Sequence, residues 1–462
     1  MRSRIPKVLH TLAGRSLLAH VLAATRGVDP AHLAVVVGHG REVVAPHLAE
    51  IDPHAQVVVQ PEQLGTGHAA RCALEALPPL RGTVLMTYGD TPLLTPRTLR
   101  ELIDVHHDAG NAVTVLTARL PDPAGYGRIL RDPTGAVSGI VEDRDADEVQ
   151  RGVDEINSGI YVFDVGVLRE ALHRLRPDNV QGELYLTDVP ALARADGHRV
   201  GAWPTADSWE TEGVNDRVQL ARLAAELNRR IVERHQRAGV TVVDPQSTWI
   251  DDTVTLESDT TLLPGVQLHG TTRVARDAVV GPDSTLTDVD VGEAAQVLRA
   301  HGSGASIGPR ATVGPFAYLR PGTRLGPGAK IGAFVEAKNA VLEEAAKVPH
   351  LSYVGDAEVG AGTNIGAGTI FANYDGVTKH HTSVGAHCST GANNTFVAPL
   401  EIGDGAATGA GTVVRRDVPP GALAVSAGPQ RNHEQWTLRK RGGTAAAAAA
   451  EAAQQQAEET RP

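Results

Sequence analysis

Cysteine is almost absent from this 462-residue sequence. Cys72 and Cys388 stand far apart and form no metal-type pair, so neither a disulfide framework nor a thiolate metal site organises the chain, and a reducing compartment is the simplest setting. Aromatic residues reach only 3%, unusually few for an ordinary layered core. No run approaches the ~18 consecutive apolar residues that a spanning helix needs, and the protein is read as soluble and cytoplasmic. Positive charge is in deficit, with 43 basic against 54 acidic residues and a net charge of −11, which argues against general nucleic-acid or membrane-surface binding and leaves small molecules as partners. The start is read as a helix and not as a signal peptide. The basic start, Met1 to Lys7, precedes an apolar stretch at Leu17 to Ala24, but His20 interrupts it, no small-residue cleavage site follows, and Leu17, Leu18, Val21 and Leu22 suit one face of a helix.

What the chain does have is glycine, 49 residues of it, and length enough for two or three domains. Over residues 1–216, short β-branched runs at 33–37, 57–59, 83–87 and 159–163 alternate with helical patterns and predict an α/β domain. Ligands of such folds sit beyond the carboxyl ends of strands, so Tyr88-Gly89-Asp90, directly after one of them, is well placed for chemistry. Residues 217–238 predict an amphipathic linker helix, with Leu220, Leu223, Leu227 and Ile231 at spacings of three and four. From 239 to 430 the period becomes six: Ile307, Val313, Leu319, Leu325, Ile331 and Ala337, then Val359, Ile365 and Phe371, then Val384, Thr390, Phe396, Ile402, Thr408 and Val414. A strict period of six predicts a parallel β-helix whose coils stack small and β-branched side chains, which accounts for the glycine. The phase breaks at 372–383, and in a solenoid such an insertion must leave the coil as a loop, a usual carrier of function. Residues 431–462 form a tail, of low complexity from about 442, expected to be solvated and partly helical or disordered.

Several motifs now stand in order: Pro6-Lys7-Val8-Leu9, Gln63-Leu64-Gly65-Thr66-Gly67-His68-Ala69, Tyr88-Gly89-Asp90-Thr91-Pro92-Leu93, Gly125-Tyr126-Gly127-Arg128-Ile129 and Glu183-Leu184-Tyr185-Leu186-Thr187-Asp188. The second half adds Tyr318-Leu319-Arg320-Pro321-Gly322 and Asn373-Tyr374-Asp375-Gly376. Over Ile5 to Trp436 the chain resembles the bifunctional N-acetylglucosamine-1-phosphate uridylyltransferase and glucosamine-1-phosphate acetyltransferase family. The resemblance implies a Rossmann-like nucleotidyltransferase domain followed by a left-handed β-helix of hexapeptide repeats. It also implies a homotrimer that acetylates glucosamine 1-phosphate with acetyl-CoA. The enzyme then transfers UMP from UTP to N-acetylglucosamine 1-phosphate, giving UDP-N-acetylglucosamine, a cell-wall precursor, and pyrophosphate.

By resemblance, Asp90 and Asn215 coordinate Mg²⁺, a hard ion suited to oxygen ligands, and Lys7 holds the phosphates. Gln60, Gly65 and Thr66 contact the uracil, while Gly127, Glu142 and Asn157 face the amino sugar. Outside their motifs, Asp90 would suit a helix or turn cap, Lys7 a solvated charge, and Gly65 and Gly127 turn positions needing positive φ. In the second domain His350 is implied as the base, since a neutral imidazole near pH 7 suits that role, and Glu336 as its orienting partner. Arg320 and Lys338 match phosphate-binding cations, Tyr353 and Asn364 sugar contacts, and Asn373, Tyr374, Ala392 and Ala410 the acetyl-CoA positions. Lys379 belongs to the same inserted loop as Asn373 and Tyr374. A lone His on a β-helix coil is otherwise more often a surface residue.

Two departures stand out. The family opens with Leu-Ala-Ala-Gly-x-Gly-Thr-Arg-Met, and Met1 resembles the final Met of that motif, so the phosphate-cradling loop and its arginine are not in the sequence. The natural protein is expected to start upstream, and lack of the family's central first strand is expected to leave neighbouring backbone groups unpaired. Ala392 stands where the family commonly has serine, which predicts weaker CoA contacts. Two further readings follow: an acetyltransferase alone, or a non-catalytic regulatory or scaffold subunit resembling those of translation-initiation exchange factors.

Overall fold

In the computed structural model, which describes residues 1–426, 428 and 430–459, the chain divides into two compact units, residues 1–310 and 311–462. The strands of four or more residues in the α/β part of the first unit are β1 (Ala34–Val37), β2 (Gln56–Val59), β3 (Thr83–Met86), β4 (Val113–Arg119), β5 (Arg128–Arg131), β6 (Val137–Val141), β7 (Glu155–Asp164) and β8 (Val200–Pro204). The main sheet runs β8-β4-β7-β5-β6, with β3 also paired to β7. All four sequence-predicted strands are strands, but the last is longer than 159–163 because its polar residues are buried with partners. Glu155 accepts from Arg131 at 2.6 Å and from Thr117 at 2.9 Å, and the Ser158 hydroxyl donates to the Leu116 carbonyl at 2.6 Å. Every residue from Glu155 to Phe163 is buried, as a central strand covered on both faces requires.

β1 and β2 pair in parallel with each other and with no strand of the main sheet. Between β1 and β3 lies a cavity of about 780 Å³ lined by both strands together with Leu18, Leu22 and Leu186. β3 is consequently half-exposed, where a fully flanked strand would be buried.

Helices cover the sheet. Helix α1 (Leu17–Arg26) starts where the Ser16 hydroxyl accepts from the Ala19 amide at 3.1 Å, and it buries Leu17, Leu18, Val21 and Leu22, the face read from spacing. Helix α2 (Arg217–Arg237) is capped by Asp216 and buries Leu223, Ile231 and Val232. It is clamped to the coils that follow by Asn228. The Asn228 amide donates to the Thr248 carbonyl at 2.8 Å, and its oxygen accepts from the Ile250 amide at 3.0 Å. Asn228→Ala leaves two buried backbone groups unpaired and is expected to cost about 1–3 kcal/mol, read as a lower denaturation midpoint with both activities retained below the transition.

From Thr241 the first unit becomes a left-handed parallel β-helix. Strands of two or three residues pair in parallel with the strand one coil onward, as Thr241–Val242 does with Thr261–Leu262 and Trp249–Ile250 with Gln267–Leu268. The second unit is built on the same coils, with Glu336–Leu342 against Tyr353–Val359 as its longest pair. Every period-six residue, from Ile307 to Val414, is buried. Glycine serves the close approach of coils: a Cβ on Gly332 would lie 1.9 Å from the Pro349 carbonyl oxygen. The phase break is a loop leaving the coil after Ile370–Ala372 and returning at Thr382–Val384. In the tail, Ala445–Glu459 is helical and largely exposed. No helix among the described residues is long and apolar enough to cross a membrane.

Candidate active sites

The first site is drawn together from distant parts of the first unit. Lys7 pairs with the Asp90 carboxylate and donates to the Asn215 side-chain oxygen at 3.0 Å, across 208 residues of sequence. The Val214 amide donates to the Asp90 carbonyl at 3.1 Å, fixing the segment that carries Asn215 beside the end of β3. Two hard oxygens thus converge on one cation. They fit a divalent ion that keeps several waters, and among the described residues no cluster of three or more His, Cys, Asp or Glu offers a fuller cage.

Gln60 follows β2, and its side-chain amide donates to the Gly65 carbonyl at 3.1 Å. Thr66 opens the next helix, and its hydroxyl accepts from the Leu186 amide at 3.0 Å. Gly65 has φ of 104°, as a turn glycine should, whereas Gly127 does not adopt a positive φ. A Cβ on Gly127 would make only ordinary contact, 3.4 Å from Asn157 and 3.5 Å from the Glu142 carboxylate, so its backbone lies close beside both. The Asn157 amide donates to the Gly127 carbonyl at 2.8 Å, so Gly127, Glu142 and Asn157 form one group. Burial lifts the Glu142 carboxyl above the usual range; the Thr187 hydroxyl opposes this, and Asp145 and Asp188 add to it. The Tyr88 ring lies on Gly159, where a Cβ would come within 1.8 Å of it, and its phenol faces both Glu142 and Asp90. Tyr88 thus links the Lys7 group to the Glu142 group.

The second site lies in the second unit. Arg320 donates to Glu336 at 2.8 Å, so Glu336 is the partner of Arg320 and not of His350. Lys338 stands 3.8 Å from Asp356, whose other oxygen accepts from Asn339 at 2.9 Å. Asn373, at the root of the inserted loop, also donates to Asp356 and is buried. Tyr374 projects from that loop with 59% exposure. Tyr353 pairs in register with Glu336 on one face of the coil. His350 pairs with Ala333 and Asn364 bridges Lys347 and Ser389, so these two stand outside the Lys338–Asp356 network. The His350 imidazole has no hydrogen-bond partner among the described residues; its backbone carbonyl accepts from the buried Ser352 hydroxyl at 2.7 Å. Ala392 and Ala410 are exposed on successive coils, with the Gly411 amide donating to the Ala392 carbonyl at 2.8 Å.

The profile of the MobA-like NTP transferase domain matches residues 1–153. The bifunctional protein GlmU of Thermobifida fusca is 58% identical over 465 residues, covering 100% of this chain and 96% of its own. Those of Kineococcus radiotolerans and Pseudarthrobacter chlorophenolicus are 59% and 58% identical, each over 96% of this chain and about nine-tenths of their own length. The chain belongs to the bifunctional GlmU family. It is an acetyltransferase and a uridylyltransferase, and it takes nucleotide and sugar-phosphate substrates, acetyl-CoA and a divalent metal. For this GlmU-family chain the sequence reading missed Asp356. The signal was available in the spacing, since Asn339, Asp356 and Asn373 follow one another at steps of 17 residues and so stack on successive coils.

Proposed function

We propose that the chain acetylates glucosamine 1-phosphate with acetyl-CoA and then uridylylates the product with UTP and Mg²⁺, giving UDP-N-acetylglucosamine and pyrophosphate. Residues 239–430 carry the first reaction and residues 1–216 the second, with residues 217–238 as the linker between them. The observation that carries the reading is the convergence of Lys7, Asp90 and Asn215 directly beyond β3.

In the acetyl transfer, Arg320 and Lys338 hold the sugar phosphate while Tyr353 and Asn364 contact the sugar. His350 accepts the proton as the amine nitrogen attacks the acetyl carbonyl, and the CoA thiolate leaves. Asn373, Tyr374, Ala392 and Ala410 line the CoA path. In the uridylyl transfer, a phosphate oxygen of N-acetylglucosamine 1-phosphate attacks the α-phosphorus of UTP and pyrophosphate departs. Asp90 and Asn215 hold Mg²⁺, which supplies charge neutralisation on the phosphates when bound. Lys7 turns to the phosphates, Gln60, Gly65 and Thr66 read the uracil, and Gly127, Glu142 and Asn157 hold the amino sugar.

A homotrimer of the β-helix, working in the cytoplasm, completes the reading. Phe316 and Phe334 stack at 5.2 Å on the outside of the coil, and with Leu351 each is more than half exposed, an apolar strip that supports packing against another copy. The standing of His350 and Asn364 outside the Lys338 network supports a site completed by a neighbour. The test is direct: purified chain with glucosamine 1-phosphate, acetyl-CoA, UTP and Mg²⁺ is expected to release both CoA and pyrophosphate. CoA alone would refute the uridylyl half, and neither product would refute the whole.

A further inference from the structure

The acetyl-transfer site contains a carboxylate to which the reaction as proposed gives no part. Asp356 lies within Tyr353–Val359 at a positive φ of 49°, one coil below Asn339 and one above Asn373. Its side chain is only 14% exposed. Burial alone would raise its carboxyl, but the amides of Asn339 and Asn373 and the ammonium groups of Lys338 and Lys379 outweigh burial and hold it below the usual range. It is a charged rung in a three-coil polar ladder.

Its two oxygens do different things. One accepts from Asn339 at 2.9 Å. The other accepts from Asn373, the residue at which the chain leaves the coil for the inserted loop, and faces Lys338 at 3.8 Å. That distance is too long for a hydrogen bond but close enough for strong attraction, so the Lys338 N–H groups stay free for an incoming anion. Lys379 returns from the loop against Lys338, and the neighbouring ammonium pulls it below the usual lysine range. Two ammonium groups so close repel each other, and Asp356 is the carboxylate that faces both. The loop is braced by bonds of its own. Tyr374 bridges Lys379, and the Asp375 carboxylate accepts from the Val377 and Thr378 amides and from His380.

We propose that Asp356 is a positioning residue of the acetyl-transfer site, with two separable tasks. Its charge holds Lys338 and Lys379 side by side as a clamp for the sugar phosphate, and its bond to Asn373 fixes the root of the loop that borders acetyl-CoA. The proposal rests on the acetyl-transfer reading above and adds to it the group that assembles the clamp.

The two tasks predict different kinetics in the full-length enzyme, followed by CoA release. Asp356→Asn removes the charge and keeps an acceptor for Asn373, so it is expected to raise the KM for glucosamine 1-phosphate about tenfold and leave the KM for acetyl-CoA unchanged. Asp356→Ala removes both and is expected to raise both KM values, with a much smaller change in kcat. Asn373→Ala is expected to raise only the acetyl-CoA KM, and adding it to Asp356→Ala is expected to raise that KM by clearly less than the product of the two single effects. An unchanged denaturation midpoint of the coils reports that each variant is folded, and Asp356→Asn keeps the test open should the alanine variant fail to fold. Unchanged KM values in Asp356→Asn, a fall in kcat alone, or additive effects of the Asp356 and Asn373 replacements would overturn the proposal. A wild-type chain that releases no CoA would instead overturn the acetyl-transfer reading beneath it.

Discussion

Replacing His350 with alanine is expected to lower CoA release by about 10²–10⁴-fold, the usual contribution of a positioned general base. Pyrophosphate release should remain at the wild-type level. The amine of glucosamine 1-phosphate must shed a proton as it attacks the thioester, and His350 combines an exposed imidazole with a backbone anchored by the buried Ser352 hydroxyl. No side chain of the coil claims the imidazole, which leaves it available to the amine. The replacement removes no buried apolar surface and no coil hydrogen bond, so the solenoid should keep its denaturation midpoint. Initial rates of CoA and pyrophosphate release, measured in parallel, decide the matter. Loss of both activities in a folded variant would contradict two independent sites.

The second large effect is expected at Asp90. Asp90→Ala should lower pyrophosphate release by about 10²–10³-fold or more, because electrostatic stabilisation of the transferring phosphate depends on the groups that Asp90 organises. Asp90 is the one carboxylate among the described residues directly paired with Lys7, and it supplies one of the two oxygens proposed to bind Mg²⁺. Its loss removes the charged ligand and frees Lys7 together. Asp90→Asn keeps an oxygen without the charge, so part of the rate should return at high Mg²⁺, with half-saturation moved to higher metal concentration. CoA release should not change in either variant. An Asp90→Ala enzyme with wild-type pyrophosphate release would remove Asp90 from the site.

Much of this was legible in the sequence because the relevant order is local. In a solenoid each coil meets only its neighbours, so a period of six in the chain is a period of six in the core, and each residue named in the three runs between Ile307 and Val414 is buried. The helix from Arg217 to Arg237 follows from leucine spacing for the same reason. Asp90, Lys7 and Asn215 were legible only through their motifs, since nothing in spacing brings residues 208 positions apart together. The partner of Glu336 was misread because the choice between Arg320 and His350 depends on which corner of the coil each side chain leaves. Asp356 escaped because the partners that give it a role lie one coil away on either side, at a step of 17 rather than six.

The division of the α/β sheet bears on how this part of the protein comes apart. Ladder hydrogen bonds make a sheet fail as one piece, and β1 and β2 share none with β7. The two-stranded leaf is held instead by side-chain packing, with Leu18 and Leu22 of helix α1 in one cluster with Val37, Val44 and Leu48. Gln60, whose amide donates to the Val37 carbonyl at 2.9 Å, belongs to that leaf. A nucleotide held by Gln60 would tighten the leaf by as much as its own binding free energy and no more.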